Sequence, residues 1–152
     1  MSHYTLSPLQ VEPISKRDYK LLSPIIWQLQ YGNDDMVCII TAGFTTDYDS
    51  TPWWARPFLR GRHLARKAHV LHDWGYNRGW VWINDNPVML AQREWDDIWR
   101  EAMVVEGMAK APAAVMHKAL KLFGHIRWNQ CESKRRKLYA IVKQYEETKH
   151  ED

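Results

Sequence analysis

Apolar and polar residues alternate in one early stretch of the chain, whereas later stretches repeat apolar residues every three or four positions. The alternation within residues 25–31 predicts a β-strand inside the longer segment 19–31. Pro24 confines that strand to the edge of a sheet or splits it. Residues 32–35, Gly-Asn-Asp-Asp, predict a turn, and the β-branched run of residues 36–42 predicts a second strand. Together the two strands predict a hairpin that covers one side of a helical core.

The helical spacing begins near residue 59 and continues almost to the end. It predicts four helices, over residues 59–78, 88–106, 112–130 and 131–148, with residues 79–87 as the connection between the first two. The apolar positions of the second helix are Leu90, Trp95, Ile98, Trp99, Ala102, Met103 and Val105. The residues of the third helix that are expected to point inward are Val115, Met116, Ala119, Leu120, Phe123 and Ile126. The stripe expected to face the core or a partner in the fourth helix consists of Leu138, Ile141, Val142 and Tyr145.

A chain of 152 residues fits one domain with a proper core. We expect residues 1–18, where Pro8 and Pro13 stand among polar residues, to form an irregular N-terminal arm. Residues 19–150 are expected to form a single α+β domain. In it, an N-terminal β-hairpin packs on a bundle of about four helices.

Composition limits the classes of function. A net charge of +3 gives no strong nucleic-acid signal. Cys38 and Cys131 make no CxxC pattern, which excludes a zinc ribbon and favours a reducing compartment. The first residues lack the basic and apolar regions of a signal peptide, and no apolar run approaches the ~20 residues that span a bilayer. We therefore expect neither a signal peptide nor a transmembrane segment.

Candidate chemistry is concentrated in residues 68–76, Ala-His-Val-Leu-His-Asp-Trp-Gly-Tyr. In a helix, His69, His72 and Tyr76 fall at i, i+3 and i+7, which places them on one face. Asp73 lies at the edge of that face. Imidazoles, a carboxylate and a phenol are groups that move protons and bind metals, so this face is the candidate site.

The next helix offers a carboxylate partner, because a short connection favours antiparallel packing of the two helices. Asp96 shares a face with Gln92 and Trp99, so we expect it to point inward and meet His72. Asp97 lies nearer Arg93 and Arg100 in the helix. It can form an ion pair with either of them at the surface instead of pointing inward.

Three hypotheses follow for this cluster. In the first, His72 and Asp96 form a dyad, and a cation held by Asp73 helps to activate water for ester hydrolysis. In the second, His69, His72 and Asp96 bind a transition metal. In the third, the residues form a satisfied hydrogen-bond network that fixes helix packing.

The loop at residues 43–52 is open to two interpretations. Asp47, Ser50 and Thr51 can satisfy their own backbone and cap the next helix, or the loop can take part directly in the chemistry.

Three motifs resemble those of a phage-borne family, domain of unknown function 1353. They are the GF-x-TD-x-x-S-x-P loop at residues 43–52, the HDW-x-Y segment at 72–76 and the helix segment at 95–103. The resemblance covers roughly residues 20–130. It implies a phage or prophage origin, with the protein in the host cytoplasm or the virion, and no particular activity.

The HD-x-x-Y segment also resembles the core of phospholipases A2, especially the bacterial and parvoviral forms. That resemblance implies an antiparallel helix pair with His72 as general base, Asp96 as the orienting carboxylate and Tyr76 as a support. Asp73 would be a calcium ligand. The loop at 43–52 would take the place of a Gly-rich calcium loop through Asp47 or Asp49.

These observations together predict a phage-encoded, metal-dependent hydrolase, most concretely esterase-like. The catalytic candidates are His72, Asp96 and Tyr76, and the candidate ligands of a divalent ion, calcium or zinc, are Asp73, Asp47 and His69. The alternative is a non-catalytic virion component or binder of a host protein, in which the His/Asp cluster is structural. Nine tryptophans favour large aromatic contacts. The contact surface of such a binder would consist of Trp53, Trp54, Trp80 and Trp82.

Overall fold

A computed structural model describes residues 3–47 and 62–149 and shows an α+β protein with two antiparallel sheets and three α-helices in those ranges. The strands are β1 (Val11–Pro13), β2 (Tyr19–Leu21), β3 (Ile25–Tyr31), β4 (Asp34–Ile40), β5 (Thr45–Thr46), β6 (Trp80–Ile83) and β7 (Asn86–Met89). A short 3₁₀ helix (Arg62–Ala65) precedes the helices α1 (Arg66–Asn77), α2 (Gln92–Val105) and α3 (Lys110–Lys149).

The predicted hairpin is confirmed. β3 pairs antiparallel with β4 from Ile25 opposite Ile40 to Tyr31 opposite Asp34, and the odd-numbered residues from Ile25 to Leu29 are buried. β3 forms the edge of the larger sheet, whose strand order is β3-β4-β6-β7. Pro24 separates β3 from β2, which instead joins β1 and β5 in a second sheet of order β1-β2-β5. The segment expected to be an irregular arm thus contains a short strand, β1.

Residues 79–87 are not a simple connection, and here the sequence-based prediction is wrong. They contain β6, which pairs antiparallel with β7 around a two-residue turn. Asn84 and Asp85 in that turn have φ values of 49° and 61°, the left-handed geometry of the tight turns that favour Asn and Asp. Trp80 and Val81 are both buried, so β6 lacks the alternation that reveals a half-exposed strand. Pro87 is tolerated because β7 is an edge strand.

The first two helices agree with their predicted positions except at their starts. α1 begins at Arg66 after the 3₁₀ helix, and residues 59–61 of the predicted helix lie outside the described residues. The carboxylate of Glu106, at the end of α2, accepts a hydrogen bond of 2.9 Å from the Ala68 amide at the start of α1. This contact satisfies one of the free amides of a helix start and ties the two antiparallel helices together.

The third and fourth predicted helices are one continuous helix, α3, so the boundary at residues 130–131 is wrong. Gln130, Cys131 and Glu132 include neither Gly nor Pro, and nothing in that stretch stops a helix. The buried side of α3 comprises Ala113, Met116, His117, Gly124, Cys131 and Arg135. Three residues of α3 that were expected to point inward are instead exposed, namely Val115, Phe123 and Ile126. The apolar residues Val105 of α2 and Ile141 and Tyr145 of α3 are exposed as well.

The hydrophobic core lies between the larger sheet and the three helices. Its largest fully buried side chains are Trp27 from β3 and Trp95 from α2. Gly75 of α1 lies directly under the Trp95 ring, where a Cβ atom would clash, so the absence of a side chain lets α1 and α2 approach. No helix in the described ranges is long and apolar enough to cross a membrane.

Candidate functional site

The candidate site lies between the antiparallel helices α1 and α2, where His72 and Tyr76 of α1 meet Asp96 of α2. The Asp96 side chain is the buried one of the two neighbouring aspartates, with 3% of its surface exposed. Trp99 follows one turn later on the same helix and covers His72. Helical spacing therefore brings His72 and Tyr76 of α1 against Asp96 and Trp99 of α2, as the sequence predicts.

Asp96 accepts hydrogen bonds from Tyr76 and from Gln92. The Tyr76 hydroxyl donates to Asp96 Oδ1 over 2.8 Å, and the Gln92 side-chain amide donates to Oδ2 over 3.5 Å. The same Gln92 amide donates to the Tyr76 hydroxyl over 3.3 Å. Burial, together with the Asp96 carboxylate, raises the pKa of Tyr76, so the phenol stays protonated and keeps donating.

His72 is held by contacts of its ring faces and lies beside Asp96. Its ring centroid lies 4.2 Å from that of Tyr76 and 4.5 Å from that of Trp99. His72 Nε2 lies 3.6 Å from Asp96 Oδ1 and has no hydrogen-bond partner among the described residues. Nε2 thus faces the carboxylate at a distance longer than a hydrogen bond, and the two groups would have to approach slightly for Asp96 to orient the imidazole. The His72 side chain keeps 12% of its surface exposed.

Asp73 follows His72 in the chain but turns toward the strand β5 instead. Its Oδ2 accepts hydrogen bonds from the Thr46 hydroxyl and, over 3.3 Å, from the Asp47 amide. Burial and the neighbouring Asp47 carboxylate raise the pKa of Asp73 to about 6. The carboxylates of Asp73 and Asp47 are thus neighbours, and a positive charge nearby would be favourable for both.

The other predicted metal ligand, His69, has a different neighbour. Trp99 Nε1–H donates to His69 Nδ1 over 3.3 Å. Within residues 3–47 and 62–149 no three or more His, Cys, Asp or Glu side chains form a metal-binding group. Asp49, Ser50 and Thr51 of the predicted loop lie outside the described residues, as do Trp53 and Trp54.

Asp97 does not pair as the sequence suggested. Its Oδ1 accepts a hydrogen bond of 2.8 Å from His117 Nε2 of α3, instead of lying against Arg93 or Arg100. Burial lowers the pKa of His117. The sequence places His117 20 residues from Asp97, with no local pattern that links them.

Helix α3 also supports the site from behind, which the sequence did not reveal. A Cβ atom on Gly124 would lie 2.7 Å from the Tyr76 hydroxyl and 3.0 Å from the Gln92 amide nitrogen. The buried guanidinium of Arg135 donates to the Tyr76 carbonyl over 2.8 Å and stacks on Trp128. Gly124, which weakens the helix locally, therefore gives α3 the clearance to close over the Asp96 cluster.

The predicted tryptophan surface needs a correction. Trp80 is buried in β6 and packs edge-to-face on Trp74, with ring centroids 5.7 Å apart. Trp82 is half-buried against the core. Neither Trp80 nor Trp82 therefore forms an exposed contact surface of the kind a binding protein would use.

Comparison with known proteins identifies a family without a known activity. A family described as protein of unknown function (DUF1353) matches residues 21–120. No curated protein and no solved structure matches the chain. The match confirms the family resemblance drawn from the three motifs, while the phospholipase A2 resemblance stays a prediction.

Proposed function

The chain belongs to the DUF1353 family of proteins of unknown function, and from its site we propose an ester hydrolase that uses His72 as general base. The observation that carries the proposal is the His72 ring. Its Nε2 lies 3.6 Å from the buried Asp96 carboxylate, and part of the side chain stays exposed. A carboxylate beside one nitrogen of an imidazole can orient the ring, so that the other nitrogen takes a proton from water.

The proposed reaction is direct attack by water. His72 Nδ1 takes a proton from water as the water oxygen forms a bond to the ester carbonyl carbon. When the tetrahedral intermediate collapses, the C–O bond to the alcohol breaks and the imidazolium returns its proton to the leaving oxygen. Asp96 stabilises the transient imidazolium, and Tyr76 holds Asp96 in place through its hydroxyl.

A divalent cation fits this proposal at Asp73 and Asp47. Hard cations such as calcium bind carboxylate and carbonyl oxygens, and a bound cation would polarise the ester carbonyl. The raised pKa of Asp73 supports this assignment, because a cation would offset the repulsion between the two carboxylates. Zinc fits less well, because His69 Nδ1 accepts a hydrogen bond from Trp99. Without His69, a zinc ion at Asp73 and Asp47 would have no nitrogen ligand.

The alternative is a non-catalytic phage protein, a virion component or a binder of a host protein. One observation favours it. Asp96 already accepts hydrogen bonds from Tyr76 and Gln92, as expected of a buried network that fixes helix packing.

The test compares His72→Ala with His117→Ala, which removes the histidine of the other His–Asp pair. Both proteins are assayed on a panel of p-nitrophenyl and phospholipid esters, with calcium or with a chelator. We expect His72→Ala to lower turnover by about 10²–10⁴-fold and His117→Ala to leave it nearly unchanged. If the wild type hydrolyses no ester and His72→Ala unfolds the protein, the hydrolase proposal fails and the structural alternative stands.

A metal analysis of the purified protein, with thermal melts in chelator, calcium and zinc, tests the cation separately. We expect calcium to raise the melting temperature of the wild type and to have a smaller effect on Asp73→Asn. A melt that no cation moves would remove the metal from the proposal while leaving the His72–Asp96 dyad to its own test.

A further inference from the structure

Helix α3 has a second apolar face, which points away from the protein. Val115, Leu122 and Ile126 are spaced i, i+7 and i+11, so they lie on one side of the helix. Their side chains are 48%, 66% and 53% exposed. Ala113 and Gly124, on the opposite side, are buried against the core. Large aliphatic side chains that recur as a stripe on one exposed side of a helix make that side a candidate interaction site.

The charge around this stripe has a single sign. From Gly107 to Cys131 the sequence contains no Asp or Glu. The exposed basic side chains beside the stripe are Lys118, Lys121, His125 and Arg127. A partner for this face must therefore tolerate apolar contact and carry negative charge.

We propose that this outer α3 face, formed by Val115, Leu122 and Ile126 with Lys118 and Lys121, binds the surface of an anionic lipid membrane. A helix lying in the interface buries apolar side chains among the lipid chains while its lysines bind headgroup phosphates. Lysines that flank the stripe add electrostatic attraction to anionic headgroups.

The shape and charge of the face favour a membrane over the other occupants. α3 packs on α1 and α2 with its buried side, so its opposite side is a convex ridge rather than a groove for a peptide. A second copy would bring lysines against lysines, which is unfavourable. Nucleic acid would satisfy the lysines but leave the exposed aliphatic side chains against phosphate.

This face is separate from the His72 site. Gly124, which lies over the Tyr76 hydroxyl, is on the buried side of α3. Membrane binding and ester turnover can therefore be measured independently, and binding should be the same in wild type and in His72→Ala.

The experiment is flotation of the full chain with vesicles of phosphatidylcholine alone or mixed with phosphatidylglycerol. We expect binding to the mixed vesicles, little to phosphatidylcholine alone, and weakening with added salt. The double variant Leu122→Ser, Ile126→Ser should lose about tenfold or more in affinity. Its matched control is Leu22→Ser, Ile14→Ser, whose side chains are exposed to a similar degree (54% and 52%) and lie elsewhere.

A second pair of variants, in which basic residues are replaced by glutamate, completes the test and can be used if the serine variant does not fold. Lys118→Glu, Lys121→Glu should lose about tenfold or more in affinity, whereas Lys16→Glu, Arg17→Glu should bind almost as well as wild type. No flotation, equal binding to neutral vesicles, or binding unchanged by the α3 substitutions would each overturn the proposal. A salt-sensitive complex with an acidic protein in the absence of vesicle binding would overturn it as well.

Discussion

Asp96 and Asp97 are neighbours on α2, yet each faces a different histidine. Asp97 accepts a hydrogen bond of 2.8 Å from His117 of α3, which joins two helices. Asp96 lies 3.6 Å from His72 Nε2 and accepts its closest hydrogen bond from Tyr76. The first pair uses its hydrogen-bonding capacity for packing. In the second pair no hydrogen bond joins the histidine to the aspartate: His72 is held by ring contacts and keeps part of its side chain exposed, which is the difference on which the proposal of a general base depends.

The largest effect on stability is expected from Asp73, which follows His72 in the chain and adds another carboxylate near it. Its pKa is raised to about 6, above the unfolded value, so between these values the folded state binds more protons than the unfolded state. In metal-free buffer, stability should therefore fall by about 2–3 kcal/mol as pH rises from about 4 to about 6. Urea denaturation across this range measures it.

Asp73→Asn should remove most of that decline, because the titrating group is gone. The control is Asp85→Asn in the exposed β6–β7 turn, which should keep the slope of the wild type. A decline that survives in Asp73→Asn would show that other groups dominate the pH dependence.

A smaller loss of stability is expected from Gly124→Ala, which changes the packing next to Tyr76, the residue that donates a hydrogen bond to Asp96. Gly→Ala in a helix ordinarily stabilises by about 1 kcal/mol, but here the new methyl group would lie 2.7 Å from the Tyr76 hydroxyl. We therefore expect a loss of about 1–3 kcal/mol in the free energy of unfolding. Ser133→Ala, at an exposed position of the same helix, should change it by less than about 0.5 kcal/mol. A stabilised Gly124→Ala protein would contradict the close packing of α3 on the cluster.

The two His–Asp pairs can be compared directly by replacing each histidine with alanine. His72 and His117 have similarly buried side chains, 12% and 6% exposed, so His→Ala should cost similar packing energy at both sites. The short bond to Asp97 should make His117→Ala more destabilising than His72→Ala by about 1 kcal/mol. Equilibrium urea titrations of the two variants measure the difference. A larger loss for His72→Ala would mean that His72 is the structural histidine, and the comparison would reverse.

The smallest effect concerns the hydroxyl that supports Asp96. Tyr76→Phe removes a hydrogen bond of 2.8 Å to a buried carboxylate, and should cost about 1 kcal/mol of unfolding free energy. Tyr139→Phe removes a bond of 3.0 Å to the Pro87 carbonyl at a half-buried site and should cost less. Equal losses of unfolding free energy in the two variants would show that the hydrogen bond from Tyr76 to Asp96 stabilises the protein no more than an ordinary tyrosine hydrogen bond.

Much of the site could be predicted because its parts are local. His72 and Tyr76 share a face by helical spacing alone, and the same periodicity selects Asp96 over Asp97 as the residue that points toward α1. The Asp73–Asp47 contact was only a candidate, since it depends on where the strand β5 lies. The bond between His117 and Asp97 and the position of Gly124 over Tyr76 depend on how α3 packs, and the sequence gives no local signal for either.

The sequence by itself determined the β3–β4 hairpin, the helices α1 and α2 and the grouping of the His/Asp/Tyr residues. Each of these follows from interactions within a few residues, which periodicity records. Only the tertiary structure decided that α3 is one helix, that Trp80 lies in a buried strand and that one apolar face of α3 is left outside. An apolar residue on a helix is equally compatible with burial and exposure until its neighbours are placed, because burial depends on which surfaces other elements cover.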